Sequence, residues 1–235
     1  MRLFRNSITC LTLATAVALC GLACQPPADE PDAGAKDAGT FSDASNYYDA
    51  WVPNPNSWLR NASESCGSSL LVPDPGEEGH LAAARLTPAV YPFQVLYVRY
   101  LIGDGEAGSV DCDSTLAHQL TLYVSSDAAP PESPNPVYST TIPTADPSEI
   151  GHEGRVVKHD LTPPLILNEG EHLFVAIELA GVHPDVMCLP VNDEDPYEGD
   201  RNYWSTAVAA PYGWVQLDSF GLVGSIMVSA YGDPQ

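Results

Sequence analysis

Three stretches of this chain alternate apolar side chains with a second, more polar set at a period of two, and nothing else in it limits the fold as strongly. Leu116, His118, Leu120, Leu122 and Val124 interleave with Ala117, Gln119, Thr121, Tyr123 and Ser125. Leu173, Val175, Ile177 and Leu179 interleave with Phe174, Ala176 and Glu178. Leu222, Gly224, Ile226, Val228 and Ala230 interleave with Val223, Ser225, Met227, Ser229 and Tyr231. Successive side chains of a strand point to opposite faces, so each stretch predicts an antiparallel strand with one buried face. Residues 90–102 are apolar on both faces apart from Gln94 and Arg99, as in a central strand covered on both sides. Shorter strands are expected at 82–86, 138–142, 156–161, 202–205 and 214–217. No stretch after Cys24 keeps a helical period, and 22 prolines interrupt the windows where one could form. About nine strands joined by Pro/Asp-rich loops predict an all-β fold, a two-sheet antiparallel β-sandwich with jelly-roll-like character.

The amino terminus reads differently. Arg2 and Arg5 precede an uncharged apolar run over 8–22, too short for a permanent membrane span but of secretory length. The run ends in Leu19-Cys20-Gly21-Leu22-Ala23-Cys24, with small Ala23 directly before Cys24. This segment resembles a bacterial lipoprotein signal peptide, although Gly21 stands where the usual leucine would be and Leu22 comes one place late. The resemblance implies cleavage after residue 23, a lipid on Cys24 and a membrane anchor through it. Gln25 follows the cysteine where inner-membrane retention typically uses Asp, which implies the outer membrane or cell surface. A second, generic resemblance covers about 80–232. The apolar run Leu165-Ile166-Leu167, the Asn168-Glu169-Gly170-Glu171 turn and the returning run 172–176 look like the penultimate hairpin of β-sandwich modules in secreted bacterial proteins. Tyr203-Trp204, Trp214 and the closing strand over 224–231 fit the same pattern, which implies a fold and no ligand.

Residues 24–45, after the leader, are mostly Pro, Ala, Asp and Gly, with Asp32-Ala33-Gly34 repeated as Asp37-Ala38-Gly39. A segment with so little to bury cannot offset the entropy of ordering, and a flexible tether is expected ahead of a folded domain over 46–235. The whole chain carries 9 Lys and Arg against 31 Asp and Glu, a formal charge of −22. Losing Arg2 and Arg5 with the leader leaves 7 basic residues against 31 acidic, or −24. Such a charge repels phosphate backbones and argues against nucleic acid as a partner. It leaves cations, basic proteins and neutral glycans open.

Cys66, Cys112 and Cys188 remain in the body, and export would place them in an oxidising compartment. If strands alternate in direction, the loops holding Cys112 and Cys188 fall at one end of the fold, which makes Cys112–Cys188 the preferred bridge. Pairing of Cys66 with either is the competing arrangement, since spacing alone does not set connectivity.

Two constellations have chemical potential. Asp193, Asp195 and Asp200 crowd one loop, and Asp111 and Asp113 are expected at the same end. Carboxylates so close repel unless neutralised, and calcium takes six to eight such oxygens, so these five form a candidate structural calcium site. No strict calcium-loop spacing is present, and a hydrated acidic loop explains the same residues. Tyr197, Tyr203, Trp204, Tyr212 and Trp214 form the second group, a candidate aromatic surface for a ligand such as a sugar, with core or sheet packing the favoured reading for Trp204 and Trp214. Catalytic signatures are missing: the sequence has no H-E-x-x-H, G-x-S-x-G or P-loop, and its six histidines are scattered. The resulting expectation is a lipid-anchored, extracytoplasmic, non-catalytic binding or adhesion module for glycan or protein. A structural envelope lipoprotein without a small ligand is the alternative, and a carboxylate-dependent hydrolase the more remote one.

Overall fold

The structure, a computed structural model, describes residues 2–5, 57–62, 69–133, 135–151, 154–193 and 199–235. All of them fall in one of the two units into which the chain divides, Met1–Asn6 with Val52–Gln235. The expected lipidation site Cys24, the tether, Cys66, Asp195 and Tyr197 lie outside the described residues.

The strands are short and numerous. In chain order they begin β1 Arg2–Arg5, β2 Trp58–Arg60, β3 Ser69–Val72, β4 Leu81–Leu86, β5 Phe93–Ile102 and β6 Gly105–Ala107. Next come β7 Val110–Cys112, β8 His118–Ser125, β9 Tyr138–Ile142, β10 Arg155–Leu167, β11 His172–Glu178 and β12 Gly181–Val182. The last are β13 Asp185–Val186, β14 Leu189–Asn192, β15 Asn202–Trp204, β16 Val215–Gln216, β17 Ser225–Ile226 and β18 Val228–Pro234.

Among the described residues they form four sheets. The largest runs β16-β15-β4-β11-β8-β9, and a four-stranded sheet runs β10-β5-β18-β2. Two smaller ones run β1-β3-β14-β17 and β12-β13-β7-β6. Pairing is antiparallel throughout except between β13 and β7, which run parallel. The fold is therefore all-β. The first two period-two stretches become β8 and β11, but both of their faces are buried rather than one, because Tyr123, Phe174 and Ala176 pack into a second cluster, and the third stretch divides into β17 and β18 of different sheets.

Two further expectations are corrected. The two sheets and about nine strands become four sheets, because pairings of two to four residues in the connecting segments add small sheets of their own. Runs that short carry no periodicity to read. The anticipated hairpin over 165–176 is not one either, since β10 pairs with β5 while β11 pairs with β4 and β8. The tight turn after Leu167, with Gly170 at φ 82°, carries the chain from one sheet to the other. Leu167 and Leu173 then enter the same core from different sheets.

That core explains the register. Val95, Val98, Tyr100 and Ile102 of β5, with Val228 and Ala230 of β18, belong to one buried cluster with Leu120, Leu122, Leu173, Val175 and Ile177 of the large sheet. The alternation read from sequence thus places one face of each sheet in a shared interior. Buried Asn61 and Asn202 cross-link the edges of this core. Asn61 Nδ2 donates to Asn202 Oδ1 (2.6 Å) and to the Ile226 carbonyl (2.9 Å), while Ile226 N donates to Asn202 Oδ1 (3.0 Å).

A second apolar cluster surrounds the bridge between Cys112 and Cys188, whose Cα atoms are 5.4 Å apart. This is the preferred pairing, and it ties β7 to the start of β14 across 76 residues of chain. Closing so long a loop contributes about 4–5 kcal/mol by restricting the unfolded chain.

Candidate functional site

The outer face of the sheet β10-β5-β18-β2 carries two cross-strand rows of different character. Core-facing Val98, Ala230 and Leu59 are aligned by the register. Their neighbours along each strand must therefore point the other way. On one side of that buried row stand Asp160, Tyr97, Tyr231 and Trp58, one from each strand. On the other stand Lys158, Arg99, Ser229 and Arg60. Three of the nine basic residues of a chain with net charge −22 thus share one row.

The three rings form a compact cluster. Tyr97 and Tyr231 stack with centroids 5.0 Å apart and planes 17° from parallel. Trp58 meets both edge-on, at 5.8 Å from Tyr97 and 5.2 Å from Tyr231. Lys158 Nζ lies 4.4 Å from the Tyr97 ring centroid and the Arg60 guanidinium carbon 5.3 Å from that of Trp58. Cations over ring faces are held by the ring quadrupole, which fixes the basic row beside the aromatic one. Lys158 also pairs with Asp160 at 2.8 Å. Trp58, Tyr97 and Tyr231 are each only half buried, and Lys158 and Arg60 are exposed. Desolvation raises the Tyr97 hydroxyl above its ordinary pKa, with Lys158 pulling the other way. Among the described residues, Trp58 Nε1 finds no hydrogen-bond partner although it is buried.

A register shift shapes this patch. Between Tyr231 and Gly232 the pairing with β5 slips by one residue, leaving Leu96 without a cross-strand partner there. Such a bulge increases local twist and re-aims the side chains beside it. Gly232 fits because a Cβ at this position would overlap the Gln94 carbonyl oxygen. A second shift, between Asp160 and Leu165, takes Pro163 and Pro164 out of the ladder, where a residue without an N–H is tolerated.

The aromatic residues singled out from sequence are divided between environments. Trp204 points into the main core and stacks on His80, with centroids 5.7 Å apart. Tyr203, its neighbour, lies on the opposite face of β15 in a separate cluster with Tyr123 and Phe174. Both are only 2% exposed. Tyr212 and Trp214 pack partly buried against that separate cluster. A loop latches over them: Glu132 accepts from the backbone N–H groups of Gly213 (2.8 Å) and Trp214 (2.9 Å), and Trp214 Nε1 donates to the Pro131 carbonyl (3.1 Å).

Of the candidate calcium ligands, Asp113, Asp193 and Asp200 have local partners. Asp113 Oδ1 accepts from the N–H (2.8 Å) and hydroxyl (2.6 Å) of Thr115, and Asp193 Oδ2 accepts from the Ser69 hydroxyl (2.8 Å). Asp200 pairs with Arg85 at 2.6 Å, and Asp111 lies in β7 opposite Glu106 and Asp185. Among the described residues, no three His, Cys, Asp or Glu side chains are grouped to hold a metal ion.

Sequence reasoning did not single out Trp58, Arg60, Tyr97, Arg99, Lys158 and Tyr231. A signal was there: Trp58-Leu59-Arg60 and Tyr97-Val98-Arg99 each place an aromatic and an arginine two apart, on the outward face of a strand whose central residue is apolar. Comparisons with protein-family models, curated proteins and solved structures return no match for the chain.

Proposed function

We propose that this chain is a lipid-anchored, extracytoplasmic, non-catalytic binding module that engages a protein through the outer face of β10-β5-β18-β2. The supporting observation is the half-buried cluster of Trp58, Tyr97 and Tyr231 flanked by Lys158 and Arg60. Tryptophan, tyrosine and arginine supply most of the energetically dominant residues of protein interfaces, since each offers a large, stiff surface with a polar end. Ring orientation favours protein over glycan. A sugar needs an open ring face to stack on, whereas here Tyr97 and Tyr231 face each other and cations sit over Tyr97 and Trp58. In this reading the two larger sheets are the halves of a jelly-roll-derived sandwich. The tether over 24–45 lets that sandwich reach partners from an anchor at Cys24, on the outer membrane or cell surface.

Retention on cells tests the proposal. Purified chain added to intact cells that lack it should remain bound, and Trp58→Ala with Tyr97→Ala should lower retention about tenfold or more, the effect expected on removing interface anchors. Protease treatment of the cells beforehand should abolish retention. Equal retention of variant and parent would overturn the assignment of the face, and retention that survives protease but not glycan removal would overturn a protein ligand.

A further inference from the structure

Strand β3 is buried on both faces. Leu71 belongs to the main core, while Val72 and the partly buried Leu70 pack into the cluster around the Cys112–Cys188 bridge. One edge of β3 is satisfied by β14, with Leu189, Pro190 and Val191 opposite Leu71, Leu70 and Ser69. The other edge is filled by β1, which pairs Arg2 with Val72, Leu3 with Leu71, Phe4 with Leu70 and Arg5 with Ser69. Yet β1 belongs to the segment whose n-region and apolar run read as a leader. Removing that leader exposes a ladder edge on a strand already covered above and below. Such an edge templates pairing with another strand, and many peptide-recognition domains use one.

We propose that the β3 edge is a strand-acceptor site. In the chain without its leader it takes an extended segment of a partner protein with two apolar residues flanked by basic ones, the chemistry of Arg2-Leu3-Phe4-Arg5. Backbone hydrogen bonds to Ser69–Val72 supply the affinity. The ladder sets the register, with Leu3 opposite Leu71 and Phe4 opposite Leu70. Charge sets the sign of the occupant's flanks: the leaderless chain has 7 basic residues against 31 acidic, so its field attracts a basic segment and repels an acidic one. The proposal rests on leader removal and not on the aromatic face, which lies on a different sheet.

The test uses the full chain carrying Leu3→Pro, which removes an N–H from β1 and disrupts its pairing while leaving β3 intact. The probe is a synthetic peptide of residues 1–6, read out by binding and by hydrogen exchange of the Ser69–Val72 amides. The peptide should bind the variant about tenfold or more tighter than the parent, whose own β1 competes at high effective concentration. It should also slow exchange at those amides, and the same peptide with Arg2→Glu and Arg5→Glu should bind more weakly. Three results would overturn the proposal: no protection by the peptide, equal binding to variant and parent, or a variant that dimerises and protects 69–72 by itself. A cooperative thermal transition of the variant at the parent's midpoint shows that loss of binding is not loss of fold.

Discussion

His118 shows how one polar side chain is accommodated in an apolar interior. It sits on the inward face of β8, 2% exposed. Its Nδ1 is 3.1 Å from the Leu116 carbonyl, which can only accept, so Nδ1 carries the proton and Nε2 accepts from the Tyr100 hydroxyl. Both ring nitrogens are thus satisfied by the neutral form. Desolvation drives the pKa from 6.5 down to about 4, against a smaller opposing effect of the Leu116 carbonyl. The sign follows from linkage: between those values the unfolded chain binds the extra proton, so stability is complete above about pH 6.5 and falls as pH drops towards 4. The loss is on the order of 3 kcal/mol. Unfolding midpoints from pH 7 to pH 4 should therefore fall more steeply for the parent than for His118→Gln. Parallel curves would mean that burial does not hold the imidazole neutral.

At the scale of elements, the bulge at Tyr231–Gly232 joins fold and site. It sits in β18, which provides Val228 and Ala230 to the core and Tyr231 to the outer face. Gly232→Ala must either push β18 away from Gln94 or shift the bulge, since the obstructing atom is backbone. The expected cost is about 1–3 kcal/mol in stability, typical of overpacking. A further consequence is a loss of Tyr97–Tyr231 stacking, visible as a change in near-ultraviolet circular dichroism. A variant with the parent's midpoint and spectrum would show that the bulge does not position the rings. Elements also mark what could be read in advance. Strands β8 and β11 were legible because one face is apolar, interrupted in β8 only by His118. For β5 the central position was legible, but not that Tyr97 stays half open on its outer face. The parallel β7–β13 pair, two residues long, depends on where the Cys112–Cys188 bridge brings distant loops together. No local pattern encodes such a pairing.

Over the whole molecule, charge and aromatic residues are unevenly placed. A chain with 31 acidic residues has three of its nine basic ones in a single cross-strand row beside three rings, Lys158 and Arg60 exposed and Arg99 between them buried. The candidate site was therefore less legible than the fold. Its residues come from four strands spread over the sequence between Trp58 and Tyr231, and only the register brings them side by side. Tyr203, Trp204, Tyr212 and Trp214 are nearer in sequence, but the alternation of β15 sends Tyr203 and Trp204 to opposite faces. Proximity along the chain is a poor guide to surface clustering in a β fold, where neighbours in space are set by pairing.

Docking of a partner protein on this outer face can be read out by photo-crosslinking in intact cells. A photoreactive phenylalanine analogue would replace Tyr97, and a control would carry it at Val208, which is 59% exposed away from the patch. A discrete protein adduct is expected from position 97, weakened by Arg60→Glu and missing from position 208. Adducts of equal yield from both positions, or none from position 97, would contradict it.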